Sequence, residues 1–159
     1  MTINPNENKI GNLVAISISK KKGIPKTNVE STTLIENFGI AGDIHGGDWH
    51  RQISFLAVES IEKMRQAGLP QLRPGAFAEN LTTQFISIPN LKVGDLVKIG
   101  DSAELEITQI GKECHTRCEI YYKVGDCVMP REGIFARVIR GGEIFVNDSI
   151  TVISNSIKN

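Results

Sequence analysis

The chain has 159 residues, and its 18 lysines and arginines balance 18 aspartates and glutamates, so no global charge draws it to nucleic acid or to an anionic membrane. With 40% hydrophobic and 23% charged residues it reads as one ordinary globular domain, neither disordered nor fibrous. No apolar run approaches the roughly 18 residues of a membrane helix, and the polar stretch Met1 to Lys9 has no signal core, so a cytoplasmic protein is expected.

Asn12 to Ser19 alternates apolar and small residues, the period of a half-buried strand. Lys20-Lys21-Lys22-Gly23 and Pro25 then break the pattern, as a solvated turn or a phosphate contact. Leu34 to Ile40 predicts a further strand, and Gly39 to His50 a Gly- and His-rich loop too polar for the core. Gln52 to Leu56 reads as a buried strand. Ala57 to Ala67 predicts a helix, with Ile61 and Met64 on one face and Gly68 just past its end.

Pro70 and Pro74 mark an irregular segment, followed by extended pieces at Leu81 to Thr83 and Ile86 to Ile88. Asp95 to Ile99 and Glu104 to Ile110 flank Gly100-Asp101, a hairpin signal, and Ile134 to Ile139 and Glu143 to Val146 flank a second at Gly141-Gly142. Ser149 to Ile153 closes the set. Val93-Gly94-Asp95 and Val146-Asn147-Asp148 echo one another as turns before extended runs. Short strands with few helices predict a mainly β fold, a mostly antiparallel sheet or barrel with one or two helices. One domain is expected over 1–159, with its core at 12–153 and tails at 1–9 and 154–159.

Two segments concentrate reactive side chains. Gly42 to Gln52 packs two His, two Asp, Arg51 and the single Trp among glycines. Arg51 can fork onto a phosphate or carboxylate, although Asp and Gly also serve simply to make turns. Gly111 to Ile120 carries Cys114 and Cys118 beside Lys112, His115 and Arg117, positive charge that favours the thiolate. A reactive thiolate, a zinc site and buried core cysteines are the three readings. The spacing C-x3-C-x8-C lacks the paired C-x2-C of structural zinc sites, so zinc is disfavoured. Cys127, in an apolar Val-Met context, is assigned to the core. There is no phosphate-binding lysine loop, dinucleotide fingerprint or G-x-S-x-G elbow. Aromatics, at 6%, do not interleave with a basic stripe, which argues against a nucleic-acid platform.

Taken in order, these segments resemble the MOSC family, the domain found at the C-terminus of molybdenum cofactor sulfurases, and especially its small stand-alone bacterial members. The matching pieces are Gly42-Asp43-x-His45 leading to Arg51-Gln52-Ile53-Ser54, then Arg73 to Thr83, Leu91-x-Val-Gly-Asp95, Glu106 to Cys114, and Met129 to Ala136 with Gly141-Gly142. Ala78 departs from the pattern, where many relatives have glycine before Glu-Asn. The resemblance covers Asn12 to Ile153. It implies a MOSC-type β-barrel and a cysteine that accepts sulfur or ligates the molybdenum of a bound molybdopterin. The context Thr108-Gln-Ile-Gly-x-x-Cys favours Cys114. Arg117-Cys118 resembles instead the Arg-Cys of the mitochondrial amidoxime-reducing relatives, with the two cysteines one residue further apart.

The implied site follows. Cys114 and Cys118 are the candidate catalytic residues and, if metal is ligated, the molybdenum ligands. Arg51, Arg73 and Arg131 are the implied phosphate contacts, Arg131 pairing otherwise with Glu132 or Asp126; His45 and Arg117 are further cofactor-binding candidates, and Glu79 and Asn80 read the pterin edge or close an Asx turn. Three functions remain open: a sulfur carrier using a persulfide, a molybdenum-dependent reductase of N-hydroxylated compounds, and a non-catalytic cofactor-binding module. The implied partners are a cysteine desulfurase or cofactor-biosynthesis proteins.

Overall fold

The computed structural model describes residues 7–21, 26–84, 91–111 and 132–153. Its longest strand, β1 (Glu7–Ile18), serves several neighbours along its length, and register shifts at Lys9/Gly11 and Leu13/Ala15 bend it between them. The strand starts at Glu7, inside the stretch expected to be a tail. Next come β2 (Thr27–Val29), β3 (Ser31–Ile35), β4 (Gly39–Ile40), β5 (Ile53–Ala57) and the helix α1 (Val58–Gln66). They are followed by β6 (Leu81–Gln84), β7 (Leu96–Ile99), β8 (Ala103–Ile110), β9 (Ile134–Arg140), β10 (Gly142–Phe145) and β11 (Ser149–Ile153).

Strands β11-β7-β8-β9-β5-β6-β1 lie side by side, and β1 pairs back onto β11, closing a seven-stranded barrel with β2 attached beyond β1. The mainly β, mostly antiparallel barrel expected from the sequence is therefore present. Among the described residues its one parallel pair, β5 with β6, requires a crossover connection rather than a hairpin, and α1 lies in that connection. Along β8 the inward Ala103, Leu105 and Ile107 are buried while Glu104 and Glu106 between them are partly exposed. With Leu13, Ile53, Phe55, Leu81, Val97 and Ile150 they form the barrel core.

Strand β5 is buried on both faces, which is why its sequence is a continuous apolar run. Leu56 joins a second cluster with Ile61 and Met64 of α1, Phe77 and Phe135. The helix ends as its sequence predicts: Gly68 N–H bonds Arg65 O and Leu69 N–H bonds Met64 O, the paired bonds of a glycine-terminated helix.

Two expectations need correction. Leu34 to Ile40 is not one strand: the chain turns at Asn37, φ 52°, between β3 and β4. Nor do Gly141-Gly142 make a hairpin, because β10 leaves β9 and pairs with β3 in a separate three-stranded sheet, β10-β3-β4. The glycine signal marks close approach instead: a Cβ on Gly141 would run into the Leu34 carbonyl oxygen. This small sheet contributes Leu34, Ile40 and Ile144 to the barrel core and aims the chain into the loop 41–52. The paired turns do match each other. Asp95 N–H bonds Lys92 O and Asp148 N–H bonds Phe145 O, with each carboxylate returning to the first residue's N–H. The expected strand at Ile86 to Ile88 lies outside the described residues.

Candidate functional site

The loop between β4 and β5 was expected to stay out of the core, yet its Asp43 is buried. Every partner of that carboxylate is a donor. Oδ1 accepts from Ser19 N–H at 2.9 Å and Lys26 Nζ at 2.8 Å; Oδ2 accepts from His45 N–H at 3.1 Å and Asn80 Nδ2 at 3.0 Å. Burial pushes the Asp43 carboxyl up, but the bonds from His45, Lys26 and Ser19 and the Lys26 charge outweigh it and hold the group well below the usual carboxylate range. Lys26 is equally enclosed, its side chain only 2% exposed.

From this anchor the loop presents its functional side chains. Lys26 Nζ also lies 3.0 Å from His45 Nδ1. The indole N–H of Trp49 donates to the His45 carbonyl at 2.8 Å. The Arg51 guanidinium is sandwiched, 4.9 Å from the Trp49 ring centre and 5.6 Å from that of Phe135. Among the described residues, Arg51 Nε is buried with no hydrogen-bond partner. A buried donor left unmade costs about 1–3 kcal/mol, so this one asks for an acceptor. His45, Trp49, Arg51 and Phe135, with Ser54, Phe77 and Ala78, line a cavity of about 100 Å³ at the edge of the second apolar cluster.

Glu79 and Asn80 directly follow Phe77 and Ala78 of the cavity lining, both with no exposed surface. Asn80 ties three segments together: its Oδ1 accepts Ser54 N–H, and its Nδ2 donates to Ser17 O and to Asp43. Glu79 accepts from Gly75 N–H at 2.6 Å, Phe77 N–H at 3.0 Å and Thr82 Oγ1 at 3.1 Å. Burial raises its pKa, and the bonds from Gly75, Phe77 and Thr82 offset that only in part. Both side chains thus act on the shape of the 75–80 turn that carries Phe77 and Ala78 into the cavity. Gln52 is structural too, accepting Val138 N–H and donating to Asn37.

Ala78, immediately before Glu79, sits at φ 65°, the left-handed region in which a glycine carries no steric penalty. The glycine of many relatives at this position thus answers a backbone requirement. Ala78→Gly is expected to raise stability by about 0.5–1 kcal/mol, since relief of left-handed strain exceeds the added unfolded-state entropy. Urea unfolding checks this, and a loss of stability would contradict it.

Of the other candidates, Arg73 lines a neighbouring depression of about 490 Å³ with Lys26, Asn28 and Gly75 rather than the cavity itself. Cys114, Arg117, Cys118 and Arg131 lie outside the described residues, as does Cys127. The roots of their segment are described: Gly111 N–H bonds Gly133 O at 2.7 Å, and Glu132 is held on α1 by Ser60 Oγ and by Lys63 at 2.8 Å. Those roots adjoin the cavity, because Phe135 lines it and the loop is tied to β8 through His50 to Gln109 at 2.9 Å and Thr108 to the His50 carbonyl. Among the described residues no group of three or more His, Cys, Asp or Glu is placed to hold a metal ion, and no described helix is long and apolar enough to cross a membrane.

Sequence reasoning missed Lys26, Asp43 and Phe135 as site residues. Asp43 had a signal, its place in the Gly-Asp-x-His motif; Lys26 and Phe135 had none beyond their residue types.

The MOSC domain family matches residues 41–151. In three dimensions the chain is similar to the YUAD protein from Bacillus subtilis, with a TM-score of 0.76 at 19% identity over 94% of this chain and 98% of that one. It is similar also to YiiM from Geobacillus stearothermophilus, TM-score 0.70 and 18% identity over 92% and 77% of the two chains. YiiM from Escherichia coli gives 0.66 and 18% over 92% and 72%. No curated protein matches the chain in sequence.

Proposed function

This chain belongs to the MOSC domain family, and on that premise we propose that its loop cavity binds the molybdenum cofactor beside a reactive cysteine thiolate. The observation that carries the reading is the buried Arg51 Nε, unpartnered among the described residues, in a cavity that His45 and Ser54 also line. The donor chemistry fits the group: molybdopterin offers phosphate and pterin oxygens, and this cavity holds a buried donor in need of an acceptor. A cavity of about 100 Å³ falls short of the roughly 300 Å³ at which small-molecule pockets begin. It therefore holds one end of the molecule, and the rest extends along the Lys26–Arg73 depression.

In this reading Arg51 and His45 bind and orient, with Arg73, Arg117 and Arg131 as further phosphate contacts. Trp49 and Phe135 hold the guanidinium flat and exclude water, which strengthens its hydrogen bonds. Glu79 and Asn80 fix the turn under the cavity rather than touching the pterin. Rooted at the cavity rim, the 112–131 segment supplies Cys114 or Cys118 as the thiolate that ligates molybdenum or carries sulfur. When bound, the cofactor supplies the redox-active metal centre. Sulfur transfer draws on a separate cysteine desulfurase or cofactor-biosynthesis protein as donor.

Arg51→Met keeps an apolar chain between the two rings and removes the buried donor. It is expected to fold, with a Tm near that of the wild type, and to co-purify with at least tenfold less pterin, which corresponds to about 1.4 kcal/mol. Pterin fluorescence after oxidative release reads this directly; undiminished pterin in a folded Arg51→Met protein would contradict the assignment.

A further inference from the structure

We infer that Lys26 is a positioning residue that locks His45 in the tautomer with its proton on Nε2, so that His45 and Arg51 together present donors to oxygen acceptors in the cavity. Lys26 Nζ is bonded to a buried carboxylate at 2.8 Å, which keeps it an ammonium. An ammonium has three donors and no lone pair. At 3.0 Å from His45 Nδ1 it can only donate, so Nδ1 accepts and the proton of the neutral ring resides on Nε2. The charged groups around the ring are Asp43, whose Oδ2 is 3.6 Å from Nδ1, Lys26 itself, and Arg51 across the cavity. Asp43 is the weaker claimant on Nδ1, because its Oδ2 stands beyond hydrogen-bond reach at 3.6 Å while Lys26 Nζ stands at 3.0 Å. Among the described residues Nε2 has no protein partner, and the ring, 41% exposed, lines the cavity.

The consequence concerns what the cavity selects. With Nε2–H and Arg51 Nε–H both unclaimed among the described residues, it offers two donors to a ligand, which suits the oxygens of a phosphate or of a ring carbonyl. A metal ion finds no lone pair at Nε2, so His45 reads oxygen atoms and does not coordinate metal. This rests on the cavity being an acceptor-binding site, but the tautomer itself is measured with nothing bound.

The test is nitrogen-15 NMR of the imidazole rings in the full chain, with His45 identified by its loss in His45→Gln. The expected spectrum shows His45 as the Nε2–H tautomer alone. Inorganic phosphate, the probe ligand, is expected to shift that Nε2–H resonance. Lys26→Met should mix the tautomers and weaken phosphate binding about tenfold; because Lys26→Met also strands Asp43, the double variant Lys26→Met/Asp43→Asn serves if the single one does not fold. An Nδ1–H tautomer in the unmodified protein overturns the lock, as does an unchanged Nε2–H tautomer once Lys26 is gone. A locked Nε2–H tautomer that ignores phosphate upholds the lock and counts instead against the proposed acceptor site.

Discussion

Replacing Asp43 with asparagine is expected to cost about 3–5 kcal/mol of folding stability, the range for breaking a buried ion pair by removing one partner. The substitution changes neither size nor shape, so the loss comes from chemistry alone. All four groups around the carboxylate are donors. An amide turns one oxygen into a donor facing two of them, and it leaves the buried Lys26 ammonium without a counter-charge. The pH dependence has a definite sign. In the folded state Asp43 titrates below its unfolded value of about 3.9, so its contribution is present above that value and is lost as pH falls through the depressed folded pKa. The gap between wild type and Asp43→Asn in urea unfolding should therefore be full at neutral pH and shrink under strong acid. A gap under 1 kcal/mol at pH 7 would mean that this network does not anchor the loop.

Glu79→Ala is expected to cost about 3–4 kcal/mol. It strands the Gly75 and Phe77 amides and the Thr82 hydroxyl, each at roughly 1–3 kcal/mol when buried, partly relieved by relaxation. Here the pH sign is opposite. The folded pKa is raised by burial, so the contribution is complete below the unfolded value of about 4.3 and diminishes as pH rises through the raised folded pKa. The two buried carboxylates should thus show mirror-image pH profiles in parallel unfolding series. Glu79→Ala should also lose pterin, because Phe77 and Ala78 are placed by the same turn. A stable Glu79→Ala protein that still binds pterin would remove Glu79 from the account.

The fold was legible where the signal was local. Alternation over Ala103 to Ile107, the apolar run of Ile53 to Leu56 and the Ile61/Met64 spacing with Gly68 each identify an element whose burial depends on its own residues. What failed depended on partners distant in sequence. Nothing in Gly141-Gly142 separates a hairpin turn from a chain slipping past the Leu34 carbonyl, since both need a missing Cβ. The polar loop 41–52 reads as surface because composition does not reveal that Asp43 will meet Lys26, Ser19 and Asn80 across the fold.

The site was legible in part for the same reason. His45 and Arg51 stood out by residue type among glycines, and the structure places both on one cavity. Glu79 and Asn80 were found as members of the ordered motif, but their atoms prove to be committed within the protein. Lys26 follows a loop whose other lysines drew attention first, and only its contacts distinguish it.

The most direct test of the central claim is combined mass and metal analysis of the protein purified under native conditions from cells that make the molybdenum cofactor, alongside Cys114→Ser and Cys118→Ser. The predicted result is bound pterin in the wild type, accompanied by molybdenum or by a cysteine persulfide, with the metal or persulfide abolished in one of the two serine variants and the pterin reduced by Arg51→Met. Protein free of pterin, molybdenum and persulfide under those conditions would contradict it.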